Sequence, residues 1–242
     1  MEKQNDLHMN IDKIRIIAFD ADDTLWVNEP YFKEAEEMFC QLMQGYLTHQ
    51  SISQILFTTQ VKNLPLYGYG IKGYILSMIE SAIHITKGGL SNAMTEHILN
   101  IGKELLSKPI VLLDDVEDIL KLLKNNYKLV VATKGDLKDQ HLKLHDSGLG
   151  GYFHHIEVMI DKETEDYDKL LKRLEVRPEE FLMIGNSLRS DILPVLELGG
   201  TAIHIPFHTT WLHEQVDGEI NHPNFYVMDS LKSLHTVFNM DS

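Results

Sequence analysis

Two aspartates directly after a short apolar run are the residues of this sequence best suited to catalysis. Asp20 and Asp22 follow the apolar run at 14–19 and precede Asp23 and Thr24. Carboxylates gathered at one point can hold a hard divalent cation such as Mg²⁺, which offsets their mutual repulsion. An aspartate can also act as a nucleophile and form an aspartyl-phosphate, with a neighbouring carboxyl group as acid and base. For an isolated motif, however, capping of a turn or helix by Asp is the better explanation.

Three later apolar runs, which begin at residues 128, 155 and 181, also end in polar residues. The residues that follow are Thr133-Lys134-Gly135-Asp136, Asp161-Lys162 and Gly185-Asn186-Ser187-Leu188-Arg189-Ser190-Asp191. Backbone N–H groups and the Thr133 hydroxyl can hold phosphate oxygens, although an N-cap and a turn explain Thr133 and Gly135 equally well. Lys134 and Arg189 can contact an anion, but solvent exposure explains them as well. Together the four strand ends offer carboxylates, a hydroxyl, a lysine and a second acidic turn.

The alternation of strands and helices predicts a sheet that brings these strand ends together. The predicted strands are 14–19, 128–133, 155–160, 181–184, 201–205 and an edge strand at 224–228, and the predicted helices are 116–124, 137–147, 167–174, 192–198 and 231–238. Apolar runs rich in β-branched residues are typical of parallel strands buried on both faces. The pattern therefore predicts an α/β, Rossmann-like, doubly wound parallel sheet, whose active site lies outside the carboxyl ends of the strands.

The segment between the first and second predicted strands has a different pattern. From Tyr31 to Leu105 it shows helical periodicity and contains no Asp and no Arg. We predict an all-helical domain at 30–106, inserted in an α/β core made of 10–29 and 107–242. The helices are predicted at 31–47, 51–60, 71–85 and 91–106. The segment 64–73, with its Gly and Tyr residues, is predicted to be a loop that either lines a binding site or simply connects two helices.

Composition excludes several classes of function. The chain has 242 residues, 43% of them hydrophobic, and a formal net charge of −14. This charge excludes sequence-independent binding to nucleic acid or to an anionic membrane, since both require clustered positive charge. The single cysteine, Cys40, can form neither an intramolecular disulfide nor a Cys-rich zinc site. With a polar segment at 1–10 and no apolar run of about 18 residues, we expect a cytoplasmic protein with no membrane partner.

With all four motifs in this order, the sequence resembles the haloacid dehalogenase superfamily, most of whose members are Mg²⁺-dependent phosphatases. The resemblance covers the chain from about Ile14 to Pro206. It implies that Asp20 is the nucleophile and Asp22 the general acid and base. It also implies that Thr133 binds the transferred phosphoryl group and that Lys162 steadies the nucleophile and the phosphate. The helical insertion matches the family's C1 cap, a mobile domain that excludes water and contacts the substrate.

The resemblance also implies a magnesium site, made of Asp20, the backbone carbonyl of Asp22, Asn186 and Asp191. The family's fourth motif usually begins with Gly-Asp, so Asn186 replaces a charged ligand by a neutral amide oxygen. Either Asn186 coordinates the metal more weakly or Asp191 does more of the work. The third motif is often Lys-Pro, whereas Glu163 follows Lys162 here. Lys169 is the alternative lysine, and Lys162 is preferred because it directly follows the predicted strand.

Asp22 favours a phosphatase over a dehalogenase. Dehalogenases of the superfamily lack an acid at this position because halide departs without a proton, whereas the alcohol released from a phosphate ester needs one. The predicted function is Mg²⁺-dependent hydrolysis of a small phosphorylated metabolite through an aspartyl-phosphate, with specificity set by cap residues around 67–74. The alternatives are a phosphomutase, a dehalogenase, or a weakened protein that only binds a phosphorylated metabolite. A homo-oligomer is possible, but the sequence does not predict the oligomeric state.

Overall fold

The computed structural model describes residue 9 and residues 11–238, and these contain a six-stranded sheet in which all neighbouring strands are parallel. The strands are β1 (Ile16–Phe19), β2 (Lys128–Lys134), β3 (His155–Met159), β4 (Phe181–Gly185), β5 (Thr201–His204) and β6 (Phe225–Val227), in the order β3-β2-β1-β4-β5-β6. This order confirms the predicted α/β, doubly wound fold. The predicted core residues 10 and 239–242 lie outside the described residues.

The register of the central strand sets the position of the motifs. All four residues of β1 are buried, as expected for a strand covered on both faces. Phe19 at its end is level with Val131 of β2 and Ile184 of β4. The residues that follow these strands therefore meet at one edge of the sheet.

Helices pack on both faces of the sheet and form the insertion between β1 and β2. The insertion contains α1 (Glu29–Met43), α2 (His49–Tyr67), α3 (Ile71–Ile85) and α4 (Asn92–Leu106), and the core contains α5 (Val116–Leu123), α6 (Leu137–Asp146), α7 (Thr164–Leu174), α8 (Leu193–Leu198) and α9 (His235–Phe238). The buried apolar residues of α1–α4 form a hydrophobic cluster of their own, apart from the two clusters on the faces of the sheet. The predicted boundaries of the insertion remain a prediction. No described helix is long and apolar enough to cross a membrane.

The predicted loop at 64–73 is wrong at both of its ends. Helix α2 continues through Pro65 to Tyr67, and α3 begins at Ile71, so the connection is only Gly68 to Gly70. Pro65 lies in the last turn of α2, where its missing N–H removes one hydrogen bond of the helix, but the helix continues past it, since the Gly68 N–H donates to the Leu64 carbonyl at 2.9 Å. Gly73 is part of α3, and a Cβ there would lie 2.9 Å from the Gly68 carbonyl oxygen. This glycine therefore allows a close approach of the chain and does not mark a turn.

Candidate active site

Asp20 lies buried at the carboxyl end of β1, among the ends of the neighbouring strands. Its backbone N–H donates a hydrogen bond to the Ile184 carbonyl at 2.9 Å, which extends the pairing of β1 with β4 by one residue. Its Oδ1 accepts a short hydrogen bond from the Lys162 ammonium, and its Oδ2 accepts one from the Thr24 hydroxyl at 3.3 Å. The predicted nucleophile and the predicted third-motif lysine are therefore in contact.

Lys162 joins Asp20 to the second acidic turn. It lies between β3 and α7, is 3% exposed, and donates to Asp191 Oδ1 at 2.7 Å. The other oxygen of Asp191 accepts from the Ser187 N–H at 2.9 Å. Position 185 must be glycine for this arrangement, because a Cβ there would overlap Oδ2 of Asp191. The alternative lysine, Lys169, is exposed, and its one ion pair with a described residue is with Asp166 on its own helix.

Burial changes the acidity of these groups in different directions. Desolvation raises the pKa of Asp20 to about 7, with the Lys162 charge opposing the rise and the Asp191 charge adding to it. Desolvation alone would lower the pKa of Lys162, but the carboxylates of Asp191 and Asp20 outweigh it and raise this pKa well above its usual value. Lys162 therefore remains an ammonium between two buried carboxyl groups.

Asp22 has an environment that differs from that of Asp20. Its Oδ1 accepts from Lys143 Nζ at 2.8 Å and from the Trp26 indole at 2.7 Å, and its Oδ2 accepts from Gln140 Nε2 at 2.9 Å. Burial tends to raise the pKa of Asp22, but the Lys143 charge and these hydrogen bonds lower it overall. Lys143 and Gln140, both on α6, were not predicted from the sequence.

Asp23 caps the start of α1, the first helix of the insertion. It adopts a positive φ of 64°, and its carboxylate accepts hydrogen bonds from the Asn28 N–H at 2.8 Å and the Glu29 N–H at 2.9 Å. Asn28 is the residue before α1 and Glu29 is its first residue, and N–H groups at the start of a helix have no partner within it. The capping explanation considered for the aspartate motif therefore holds for its third member.

The oxygen atoms near Asp20 fit a magnesium ion. Asp20 Oδ2 and Asn186 Oδ1 both lie 3.3 Å from the Thr24 hydroxyl, so the two predicted ligands converge. No group of three or more His, Cys, Asp or Glu side chains among the described residues is arranged to hold a metal. Mg²⁺, however, commonly takes one or two carboxylates and completes its shell with water and phosphate oxygens. The Asp20 carboxylate and the Asn186 amide oxygen meet that requirement, whereas Asp191, also a predicted ligand, accepts hydrogen bonds from Lys162 and the Ser187 N–H on its two carboxylate oxygens.

Thr133 is buried at the end of β2, on the same edge as Asp20. The next residue, Lys134, donates to Glu214 Oε1 at 2.6 Å and to the Ser190 hydroxyl at 2.8 Å. Burial would raise the pKa of Glu214, but Lys134 and the hydroxyl groups of Ser187 and Ser190 lower it to about 2. Lys134, at the end of β2, is thus partly buried and bonded to Ser190 of the second acidic turn, rather than solvent-exposed.

A cavity between the insertion and the sheet edge opens onto these residues. On the side of the insertion it is lined by residues of α1, α2, α3 and the loop 68–70, and residues 209–211 also line it. The loop residue Tyr69 donates its hydroxyl to Asp161 at 3.3 Å, and its ring lies 4.1 Å from Lys134 Nζ. Trp211 contacts Tyr69 and also Phe57 of α2, with ring centroids 6.3 and 6.5 Å apart. The predicted role of the segment around 67–74 in lining a site is consistent with this position.

A parallel α/β sheet with an aspartate motif after its first strand, and with helices inserted before the second, is the architecture of the haloacid dehalogenase-like proteins. The chain belongs to the haloacid dehalogenase-like hydrolases, because the model of that family matches residues 14–199.

Proteins of known sequence and structure agree with this assignment. The N-acylneuraminate-9-phosphatases of Mus musculus and Homo sapiens are each 24% identical over 229 residues, which is 85% of this chain and 85% of theirs. A haloacid dehalogenase-like family hydrolase from Xanthomonas campestris is 34% identical, with a TM-score of 0.84 over 94% of this chain and 91% of its own. A HAD-hydrolase from Bacillus subtilis, solved with magnesium, shares the fold at 19% identity and a TM-score of 0.62, over 94% and 99% of the two chains.

Proposed function

We propose that this hydrolase cleaves small phosphomonoesters in a Mg²⁺-dependent reaction through an aspartyl-phosphate on Asp20. The observation that carries the proposal is the buried contact between Asp20 and Lys162. This contact lines the cavity under the helical insertion, and Asp22, which also lines it, is only two residues after Asp20. The phosphatases among its relatives support the same class of substrate. We assign the cavity to a small phosphorylated metabolite.

In the first step, a carboxylate oxygen of Asp20 attacks phosphorus and the bond from phosphorus to the ester oxygen breaks. Asp22 donates a proton to the departing alcohol oxygen. In the second step, Asp22 takes a proton from a water molecule that attacks the phosphorus of the aspartyl-phosphate. This step releases inorganic phosphate and restores the Asp20 carboxylate.

The contact with Lys143 affects which protonation state Asp22 has in each of the two steps. Lys143 favours Asp22 as a carboxylate, which is the form that accepts a proton from water. To act as an acid in the first step, Asp22 must take up a proton, which the Lys143 charge opposes. Lys143 also donates to Asn28 Oδ1 at 2.8 Å, next to α1, so this proton uptake occurs where the insertion joins the core.

Several residues would stabilise the negative charge of the transferred phosphoryl group. Lys162 supplies an ammonium, and the Thr133 hydroxyl and nearby N–H groups supply hydrogen-bond donors, which is where most of the catalysis of phosphoryl transfer arises. Asp20, the Asp22 carbonyl and Asn186 would hold Mg²⁺, which when bound adds positive charge beside the phosphate. Asp191 holds Lys162 in place from the other side.

Hydrolysis of p-nitrophenyl phosphate by the wild type and by Asp20→Asn tests the proposal. We expect Mg²⁺-dependent turnover that EDTA abolishes and added Mg²⁺ restores, and a loss of at least about a thousandfold in Asp20→Asn, because the nucleophile is gone. Asp118→Asn, at an exposed position of α5, should retain the wild-type rate. A wild type without activity towards any phosphate ester, or an active Asp20→Asn, refutes the proposal.

Asn186 favours a second candidate function, that of a weakened protein that only binds a phosphorylated metabolite. Its neutral amide replaces a charged metal ligand, which lowers the attraction for a divalent cation. Calorimetric titration with Mg²⁺ separates the two functions. An enzyme should bind the ion with Asn186 present, and Asn186→Asp should bind it more tightly, whereas the binding protein should show no Mg²⁺ uptake and no turnover.

A further inference from the structure

Two polar groups of the insertion face the cavity without a hydrogen-bond partner. Tyr74, in the first turn of α3, is 5% exposed, and its hydroxyl makes no hydrogen bond to any described residue. Glu29, at the start of α1, lines the same cavity, and its carboxyl group likewise makes none. The side-chain atoms among the described residues that are both enclosed and unpartnered are Ser81 Oγ and Gln140 Oε1, so the Tyr74 hydroxyl is accessible from the cavity and free to exchange a hydrogen bond with a ligand.

The cavity lacks a free cation for a second anionic group. The basic side chains among the described residues that line it are four lysines. Each of them already contacts a carboxylate: Lys33 with Glu36, Lys134 with Glu214, Lys143 with Asp22, and Lys162 with Asp20. Nine Asp and Glu side chains line the same space. A substrate carboxylate would therefore be placed among acidic groups with no counter-charge to meet it.

The remaining lining suits a flat, uncharged group. The rings of Phe32 and Tyr74 lie 5.2 Å apart on the side of the insertion, at an angle of 52°. Tyr69 and Trp211 form a second aromatic pair at the rim. Aromatic faces bind flat apolar surfaces, and the carboxyl group of Glu29 can exchange hydrogen bonds with a hydroxyl whether or not it carries a proton.

We propose that the alcohol esterified to the phosphate is an uncharged, hydroxyl-bearing group with a flat face, recognised by Glu29 and Tyr74. Sugars and nucleosides both have this chemistry. The inference rests on the proposed phosphatase function and concerns the part of the substrate that does not react. It assigns substrate recognition to two residues of the insertion that take no part in the chemical step.

Matched pairs of substrates test the charge argument. Glucitol 6-phosphate and 6-phosphogluconate are both open-chain phosphates, and they differ only in that the first has a hydroxymethyl group where the second has a carboxylate. We expect kcat/KM to be at least about tenfold higher for glucitol 6-phosphate, because an unpaired charge in the cavity is unfavourable. Thymidine 5′-monophosphate and ribose 5-phosphate, compared in the same way, distinguish a nucleoside from a sugar. If p-nitrophenyl phosphate is hydrolysed and 6-phosphogluconate is the better sugar substrate, the inference fails while the phosphatase function stands. If no ester is hydrolysed, both fail.

Tyr74→Phe tests the role of the unpartnered hydroxyl. The measured quantity is a ratio of two kcat/KM values. The first is that for thymidine 5′-monophosphate or ribose 5-phosphate, whichever is the better substrate, and the second is that for p-nitrophenyl phosphate, whose nitrophenyl group has no hydroxyl to recognise. Loss of one hydrogen bond should lower this ratio about fivefold, and Glu29→Ala should lower it by a similar factor. Tyr46→Phe and Glu37→Ala, which make the same changes at exposed positions outside the cavity, should keep the wild-type ratio. An equal loss on both substrates in Tyr74→Phe and Glu29→Ala would show a structural role and overturn the assignment.

Discussion

Replacing Lys162 by methionine tests whether one buried cation holds the acidic centre together. The Lys162 side chain is 2% exposed, and its ammonium contacts the carboxylates of Asp20 and Asp191. Methionine keeps most of the apolar length and removes the charge. The two buried carboxyl groups then have no cation between them. Removal of one partner of a buried ion pair typically costs about 3 to 5 kcal/mol of stability.

The lower end of this range is expected. Burial already raises the pKa of Asp20 to about 7 with Lys162 present, and loss of the ammonium raises it further. At pH 7 Asp20 then takes up a proton instead of remaining charged, which limits the cost. A loss of about 3 kcal/mol lowers Tm by roughly 6 to 12 °C in a chain of this size. Because a protonated Asp20 is a poor nucleophile, kcat should also fall by about a hundredfold or more.

Lys169→Met is the matched control. The Lys169 side chain is 58% exposed and lies 3.5 Å from Asp166, and an exposed pair of this kind contributes at most about 1 kcal/mol. Thermal denaturation and the rate of p-nitrophenyl phosphate hydrolysis are measured for both variants. If Lys162→Met melts and reacts like Lys169→Met, the buried ammonium is not what stabilises this centre. A loss of activity in Lys169→Met alone would assign the third-motif role to Lys169.

Three further variants probe neighbouring contacts. Asp23→Ala removes the acceptor at the start of α1 and should lower the free energy of unfolding by about 1 to 2 kcal/mol in a denaturant titration; an equal loss in Asp23→Asn, which keeps one acceptor oxygen, would argue against a capping role. Gly185→Ala forces a methyl group against Asp191 and should cost about 1 to 3 kcal/mol, whereas Gly150→Ala, where a Cβ meets nothing within 4 Å, should melt like the wild type. Lys143→Met should lower kcat about tenfold with little change in KM, because Asp22 loses a hydrogen bond that orients it and the charge that favours the carboxylate form used in the second step. An unchanged kcat would mean that Trp26 and Gln140 suffice to orient Asp22. Lys138→Met, at an exposed position of the same helix, is the control.

The positions of the predicted site residues followed from simple features of the sequence. Apolar runs of four to seven residues mark strands buried on both faces, and parallel strands end at a common edge. Thr133 lies at the end of such a run, and Asp20, Lys162 and Asn186 lie just after one, so their convergence could be predicted before any contact was known. Their roles in catalysis remain a proposal.

Other parts of the site depend on contacts that no local pattern encodes. Lys143 lies on a polar helix face, and nothing in α6 indicates that it meets an aspartate 121 residues earlier in the chain. Glu214 reaches Lys134 from the short 3₁₀ turn Leu212–Glu214, which follows β5. The sequence predicts a loop at 64–73 because one proline and three glycines lie in this segment, but only the connection at 68–70 is irregular, and α2 continues through Pro65.

The central position of β1 has a consequence for how the protein folds. Ile16 pairs with Lys128 on one side and with Phe181 on the other, so both neighbours of this strand are more than a hundred residues further along the chain. The helices α1–α4, by contrast, bury their apolar faces against segments that are close in sequence. Closing a long loop costs entropy before its contacts repay it. We therefore expect the inserted helices to associate early during synthesis, whereas β1, which precedes Asp20, has no partner strand until β2 has been made, just past the middle of the chain, and gains its second partner only with β4.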